Sequence, residues 1–174
     1  PKLYGRMVKP FIETFVALLL FILLIPAMVI TAMLVKIDSK GRIFYTQERI
    51  GKDGKKFTII KFRTMVENAE SLTGAVYAAD NDPRITKMGR FLRKWRLDEI
   101  PQLLNIIKGD MSLVGPRPER YVFIKEFEEK IPFYTQRLAV RPGLTGWAQI
   151  KYPYASSIEQ TEEKLQYDLY YIKN

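Results

Sequence analysis

Thr14 to Val35 reads TFVALLLFILLIPAMVITAMLV, a run without a charge and dominated by Leu, Ile, Val, Phe and Ala. As a helix rising ~1.5 Å per residue it reaches ~33 Å, enough for a hydrocarbon core of ~30 Å. The run is too long for a cleavable signal peptide, and no small-residue cleavage pattern follows it. Two features complicate a plain crossing. Pro26 lies near the middle, where proline removes a backbone hydrogen bond and bends a helix. Basic residues flank both ends, Lys2, Arg6 and Lys9 before and Lys36, Lys40 and Arg42 after. The positive-inside tendency puts both flanks on the cytoplasmic side. A helix that enters, breaks at Pro26 and returns meets both conditions. Membrane helices also tolerate proline, so these residues leave a span and a re-entrant hairpin evenly balanced.

Outward from this run the chain is basic, with 28 Lys and Arg against 19 Asp and Glu among 174 residues, a net charge of +9. Such an excess favours an anionic partner: nucleic acid, an anionic leaflet or a phosphorylated substrate. There is no cysteine, which excludes disulfides, a thiolate nucleophile and zinc–cysteine sites. There is no histidine, so the commonest general base and metal ligand is absent. Chemistry falls to carboxylates, Lys, Arg, Tyr or hydroxyls. The length suits one functional domain, divided into a membrane segment with basic flanks over 1–40 and a core over 41–174. The chain starts at Pro1, which is read as a trimmed N-terminus.

The core is expected to be α+β and mostly helical. Arg42 to Glu48 and Lys56 to Arg63 read as strands of a β-hairpin around the turn signal Gly51-Lys52-Asp53-Gly54. Lys61-Phe62-Arg63-Thr64-Met65 closes the second strand with two cations, which an exposed edge would also carry. Glu67 to Asn81 predicts a short helix and a loop. Asp80-Asn81-Asp82 has the Asp-x-Asp form that holds a cation in some glycosyltransferases, yet Pro83 follows and no strand–helix alternation surrounds it, so cap or turn material is preferred. From Arg84 a helix is expected with Met88, Phe91, Leu92 and Trp95 as an apolar stripe and Lys87, Arg90, Arg93 and Lys94 around it, a pattern suited to a headgroup layer. Further helices are read over Leu103 to Ile107, capped by Gly109, over Glu119 to Lys130, and from Ser156 or Ser157 onward.

Arg96-Leu97-Asp98-Glu99-Ile100-Pro101-Gln102 carries the chemistry. Residues i and i+1 diverge by about 100° in a regular helix, but Pro101 places Asp98 and Glu99 at a helix start or break where both carboxylates can face one site. Side by side they repel, and a Mg²⁺ would relieve this while clamping a diphosphate. A carboxylate can then attack phosphorus and split one displacement into two. Arg93 lies upstream, and Arg117 in Gly115-Pro116-Arg117-Pro118 is stiffly held, so both can meet phosphate oxygens. A cap with a salt bridge to Arg93 or Arg96 is the plainer alternative.

With these residues in view, the chain resembles the bacterial sugar transferases, the monotopic polyprenyl-phosphate phosphoglycosyl transferases. The motifs are Lys61-Phe62-Arg63-Thr64-Met65, Asp82-Pro83-Arg84-Ile85-Thr86, Leu97-Asp98-Glu99-Ile100-Pro101-Gln102, Gly109 through Pro118, and Pro142-Gly143-Leu144-Thr145-Gly146-Trp147-Ala148-Gln149. The resemblance implies transfer of a sugar 1-phosphate from a UDP-sugar, glucose or galactose by preference, to undecaprenyl phosphate with release of UMP. It makes Asp98 the nucleophile and Glu99 the Mg²⁺ ligand. Lys61, Arg63, Arg93, Arg117, Arg141 and Asp168 become substrate or phosphate positions. It also favours the re-entrant helix-break-helix at Pro26, although the family's usual Ser before that proline is Ile25 here. The place it implies is the cytoplasmic face of the bacterial inner membrane, at the first membrane step of polysaccharide or glycoconjugate assembly. Larger members carry extra segments ahead of this unit, so a minimal form or an excised core is expected. The sequence leaves a homodimer open. Two rival readings are a glycosyltransferase that uses Asp80 and Asp82 and releases UDP, and a membrane-anchored basic binding module. The second predicts steep salt dependence but gives the Asp98–Glu99–Pro101 arrangement no task; no nucleic-acid partner is expected.

Overall fold

The computed structural model of the protein describes residues 7–71, 74, 76, 82–152 and 157–174. Asp80 and Asn81 of the acidic triplet, Lys2 and Arg6 of the first basic flank, and Ser156 lie outside them. The apolar run lies in α1, Lys9–Asp38, which opens with a proline in its first turn and carries Pro26 inside. Every residue across this span is helical, so the expected division into two helices at Pro26 is absent. Proline gives up one amide donor and crowds the preceding turn, a local loss that the remaining hydrogen bonds of a long helix outlast.

One face of α1 is covered for its whole length. Ala17 enters a cluster with Ile59, Leu103, Ile106 and Met111, joined by Phe21 and Leu24. Nearer its end, Val35 packs with Phe62 and Leu92, beside Met28 and Ala32. The opposite face, including Phe11, Phe15, Leu23, Val29, Ile30 and Ile37, is exposed. The apolar surface left bare is far larger than scattered surface residues explain. This is one helix long and apolar enough to cross a membrane, by length and composition.

The hairpin forms as expected, with β1, Phe44–Ile50, antiparallel to β2, Lys56–Phe62. Asp53 and Gly54 take left-handed backbone angles in the turn. Residues 67–71 form a turn rather than the start of the expected helix, with Ser71 N–H bonded to the Asn68 carbonyl at 2.9 Å, and most of the remaining stretch to Asn81 lies outside the described residues. α2, Lys87–Lys94, begins three residues later than Arg84 because Thr86 is its cap and accepts from Gly89 N–H at 2.9 Å. α2 lies so close to the chain after β2 that a Cβ on Gly89 would stand 2.0 Å from the Thr64 carbonyl oxygen. Of its apolar stripe, Leu92 is buried while Phe91 and Trp95 stay exposed.

A 3₁₀ turn over Leu97–Gln102 leads into α3, Leu103–Lys108, which ends at the left-handed Gly109. Asn105 fixes α3 to β2: fully buried, it donates to the Thr58 carbonyl at 2.7 Å and accepts from Ile60 N–H at 3.2 Å. Beyond α3 no strand is expected from local pattern, yet β3, Ser112–Val114, pairs in parallel with β4, Gly143–Thr145. The two loops meet so tightly that a Cβ on Gly143 would lie 2.1 Å from the Gly115 nitrogen. α4, Tyr121–Lys130, a 3₁₀ segment over Tyr134–Ala139, the short α5, Trp147–Lys151, and α6, Ile158–Lys173, complete the chain. α6 is capped by Ser157, one of the two serines expected. Phe123, Ile124, Phe127, Ile131, Tyr134 and Leu165 with Ile50 form the core under this half.

Candidate active site

The 3₁₀ turn that carries Asp98 and Glu99 sits against β2 and α2. Arg96, ahead of it, has φ 57°, a left-handed conformation that costs a non-glycine residue ~1 kcal/mol. That reversal turns the chain from α2 back toward the hairpin, and both carboxylates end up buried.

Their surroundings differ. One oxygen of Glu99, Oε1, collects three cations: Arg117 Nη2 at 2.6 Å, Lys61 Nζ at 3.4 Å and Arg96 Nη1 at 3.7 Å. Arg117 Nη1 reaches Oε2 at 3.5 Å and donates to Gln149 Oε1 at 3.1 Å. Burial works against the ionised Glu99, but the Arg117 and Lys61 charges outweigh it and hold its carboxyl down to about 2. Asp98 is pushed up instead, by burial first and the Glu99 charge second. Its Oδ1 is buried without a hydrogen-bond partner. Lys61 is lowered to about 8, chiefly by burial and then by Arg117. Burial and Arg117 thus cost this lysine more than the carboxylates return, whereas Glu99 gains more from its cations than burial takes.

Arg93 is on the last turn of α2, with Nε donating to Thr64 Oγ1 at 2.9 Å, and its charge acts on Asp98. Lys61, Arg93, Asp98, Glu99 and Arg117 therefore form one cluster. The other expected positions stand apart from it. β2 ends at Phe62, so Arg63 leaves the strand and donates to the Ser39 carbonyl at 2.8 Å and to that of Lys40, clasping the end of α1. Arg141 precedes β4, its guanidinium 4.0 Å from where a Cβ on Gly109 would be. Asp168 is buried on α6 and paired with Arg137 Nη2 at 2.9 Å. Asp82 is held by Arg84 through Nη2 at 2.6 Å and Nε at 2.9 Å, and this pairing lowers it to about 2.

Gln149 and Arg137 were not singled out from the sequence. Gln149 stood inside a quoted motif and needed only a role. Arg137, between two helices, had no motif to mark it.

Among the described residues no group of three or more His, Cys, Asp or Glu is arranged to hold a metal. Mg²⁺ asks for less, since it binds through one or two carboxylates and completes its shell with water and substrate phosphates. The unpaired Asp98 Oδ1 and the lightly engaged Glu99 Oε2 fit that requirement. Chemically, the cluster offers a carboxylate with an unpaired oxygen amid cations able to take phosphate oxygens.

A family model described as bacterial sugar transferase matches residues 4–174. The chain is 48% identical over 149 residues to a UDP-N-acetylgalactosamine-undecaprenyl-phosphate N-acetylgalactosaminephosphotransferase of Aeromonas hydrophila, covering 86% of this chain and 35% of that protein. It is 39% identical over 173 residues to a UDP-glucose:undecaprenyl-phosphate glucose-1-phosphate transferase of Escherichia coli, covering 97% and 37%. A UDP-galactose-lipid carrier transferase of Erwinia amylovora is 36% identical over 184 residues, covering 98% and 37%. The chain thus spans little more than a third of these relatives.

Proposed function

The chain belongs to the bacterial sugar transferase family, and we propose that it moves a sugar 1-phosphate from a UDP-sugar to undecaprenyl phosphate, releasing UMP. The observation that carries this reading is the division between two neighbouring carboxylates. One oxygen of Glu99 collects three cations, while Asp98 is buried with an oxygen unpaired.

An Asp98 oxygen attacks the phosphorus that bears the sugar. The bond from that phosphorus to the UMP oxygen breaks, and UMP leaves with the electron pair. A phosphate oxygen of the lipid then attacks the same phosphorus, the bond to Asp98 breaks, and the carboxylate returns. Two displacements replace one and let a donor and a lipid acceptor use the same nucleophile in turn. Lys61, Arg93 and Arg117 neutralise the diphosphate oxygens, and Glu99 keeps Lys61 and Arg117 in place. Mg²⁺ would be held by Glu99 and the unpaired oxygen of Asp98 and would neutralise phosphate charge. The sugars named for the relatives are N-acetylgalactosamine, glucose and galactose, so the donor class is a UDP-hexose or UDP-N-acetylhexosamine. That is wider than the glucose or galactose expected from sequence.

The acceptor is a lipid, and α1 supplies the membrane contact. Core residues cover α1 at both ends: Lys9 Nζ donates to Ser112 Oγ at 2.9 Å, and Asp38 accepts from Met88 N–H at 3.1 Å. A helix crossing the hydrocarbon would drag these polar partners with it, at several kcal/mol for each unsatisfied group. Lying in one leaflet with the bare apolar face toward lipid avoids that cost and leaves both basic flanks on one side, as the positive-inside tendency favours at the cytoplasmic face.

The test is nucleotide release from UDP-glucose, UDP-galactose and UDP-N-acetylgalactosamine with undecaprenyl phosphate and Mg²⁺. Native protein is expected to release UMP with at least one donor, and Asp98→Asn to release none. UDP release, or undiminished turnover by the variant, would sink the covalent reading.

A further inference from the structure

Arg117 meets Glu99 from a loop with few means of holding itself. Pro116 and Pro118 on either side have no amide donors, so the loop is tied down by its carbonyls. Pro116 accepts from Gly143 N–H at 2.8 Å, Pro118 from Arg49 Nη1 at 3.2 Å, and Glu119 from Ile50 N–H at 3.0 Å. The carbonyl of Arg117 itself accepts from Arg137 Nη2 at 3.0 Å.

Arg137 is built for that contact. It is buried on the 3₁₀ segment over Tyr134–Ala139, with Nη1 donating to the Tyr134 hydroxyl at 2.7 Å and Nη2 shared with Asp168 Oδ2 at 2.9 Å. Tyr134 and Asp168 are buried too. An arginine this enclosed cannot swing, because moving it would strand a carboxylate and a hydroxyl away from water. The guanidinium therefore works as a fixed peg.

We propose that Arg137 is a positioning residue for phosphosugar transfer: locked by Asp168 and Tyr134, it sets the backbone at Arg117 and so the place where the Arg117 guanidinium meets Glu99 and the donor diphosphate. The inference rests on the reading above, in which Arg117 binds that diphosphate. It also gives Asp168, on the last helix, an effect on the site through Arg137.

The test is a double-mutant cycle on steady-state UMP release, with Arg137→Lys and Arg137→Met each made in the native and the Arg117→Ala backgrounds. Arg137→Lys keeps a cation for Asp168 but lacks the fork that serves three acceptors at once. In the native background either variant is expected to lower kcat/KM by about 10²-fold, the order that an ångström of misplacement costs. In the Arg117→Ala background the same change is expected to cost no more than about 2-fold, because its target is gone. The pH profile moves as well. Arg117 lowers both Asp98 and Lys61, so its displacement shifts both limbs of kcat/KM to higher pH.

Rates are taken per folded enzyme, and Arg137→Lys serves if Arg137→Met does not fold. Equal losses in the two backgrounds, or native rates and limbs per folded molecule, would overturn the proposal. Failure of both lysine backgrounds to fold while native and Arg117→Ala fold would do so too, since Arg137 would then be a folding residue. Failure of the underlying reading looks different: Asp98→Asn would keep releasing UMP whatever the cycle gives.

Discussion

Replacing Glu99 by glutamine keeps the shape of the side chain and removes its charge from the middle of the cluster. Glu99 is drawn from an ordinary 4.5 to about 2. At ~1.36 kcal/mol per pH unit, that displacement makes the ionised carboxylate worth ~3.4 kcal/mol at neutral pH. The sign follows from the depressed value: the contribution is complete above pH 4.5 and fades as pH falls toward about 2. Asp98 is relieved of a like charge in the variant, which returns part of this, so a net loss of about 2–3 kcal/mol is expected. In a chain of this size each kcal/mol moves the melting point by about 2–4 °C, so Glu99→Gln should melt about 5–10 °C below native. The assay is thermal unfolding in lipid nanodiscs followed by tryptophan fluorescence, with native and variant compared between pH 6 and 7.5. Glu48→Gln is the control, because Glu48 pairs with Lys56 at 2.9 Å with both side chains more than half exposed; such pairs are worth ~0–1 kcal/mol. If Glu99→Gln melted with the control, or above native, the attraction of Arg117, Lys61 and Arg96 would not exceed the cost of burying them, and the reasoning would fail.

The rate of UMP release as a function of pH should show two limbs. In the proposed reaction Asp98 attacks ionised, and it is pushed up by burial and Glu99, so kcat/KM should rise with pH through a midpoint above the ordinary aspartate range. The proposed phosphate contact of Lys61 needs its proton, and Lys61 is lowered to about 8, so kcat/KM should fall through about pH 8, and Lys61→Gln should lose that limb. A profile flat from pH 7 to 9.5 in the native protein would contradict this. Asn105→Ala leaves the Thr58 carbonyl and Ile60 N–H of β2 unserved in a fully buried place. A loss of about 3 kcal/mol is expected in denaturant unfolding, and a loss under 1 kcal/mol would show that water reaches the strand.

What the sequence made legible follows the range of its signals. The apolar run, the hairpin turn, the stripe of α2 and the Ser157 cap are local patterns, and each produced an element in nearly the expected place. The two carboxylates were legible because Pro101 breaks regular helix geometry within three residues of them. Lys61 and Arg63 looked equivalent, two apart as strand neighbours on one face are, but the strand stops at Phe62 and their tasks part there. The pairing of β3 with β4 joins segments too short for an alternating pattern, and it depends on Gly115 and Gly143 letting two backbones touch. Arg137 and Asp168 lie 31 residues apart, and only folding pairs them and brings Arg137 to the Arg117 carbonyl. Pro26 was the reverse case, a strong local signal overruled by the continuity of a long helix.

Two carboxylates adjacent in sequence, both buried in one turn, acquire opposite titration because of reach. The extra methylene of Glu99 carries its oxygens to Arg117, Lys61 and Arg96, while the shorter Asp98 stops short of them and keeps Oδ1 unpaired. Once Glu99 is ionised across the working range, its charge is a fixed part of the environment of Asp98. Neighbouring groups driven apart in this way are what allow one to act as anchor and the other to react. The cations answer the same logic. Lys61, Arg93, Arg96 and Arg117 are four positive groups acting on two carboxylates, and Lys61 is depressed by its burial first and by the Arg117 charge second. In the proposed reaction an arriving diphosphate restores the balance, and Lys61 then holds its proton more firmly. Donor binding and protonation of Lys61 are thus one linked equilibrium. The same linkage moves the alkaline limb of kcat, measured with donor bound, above that of kcat/KM.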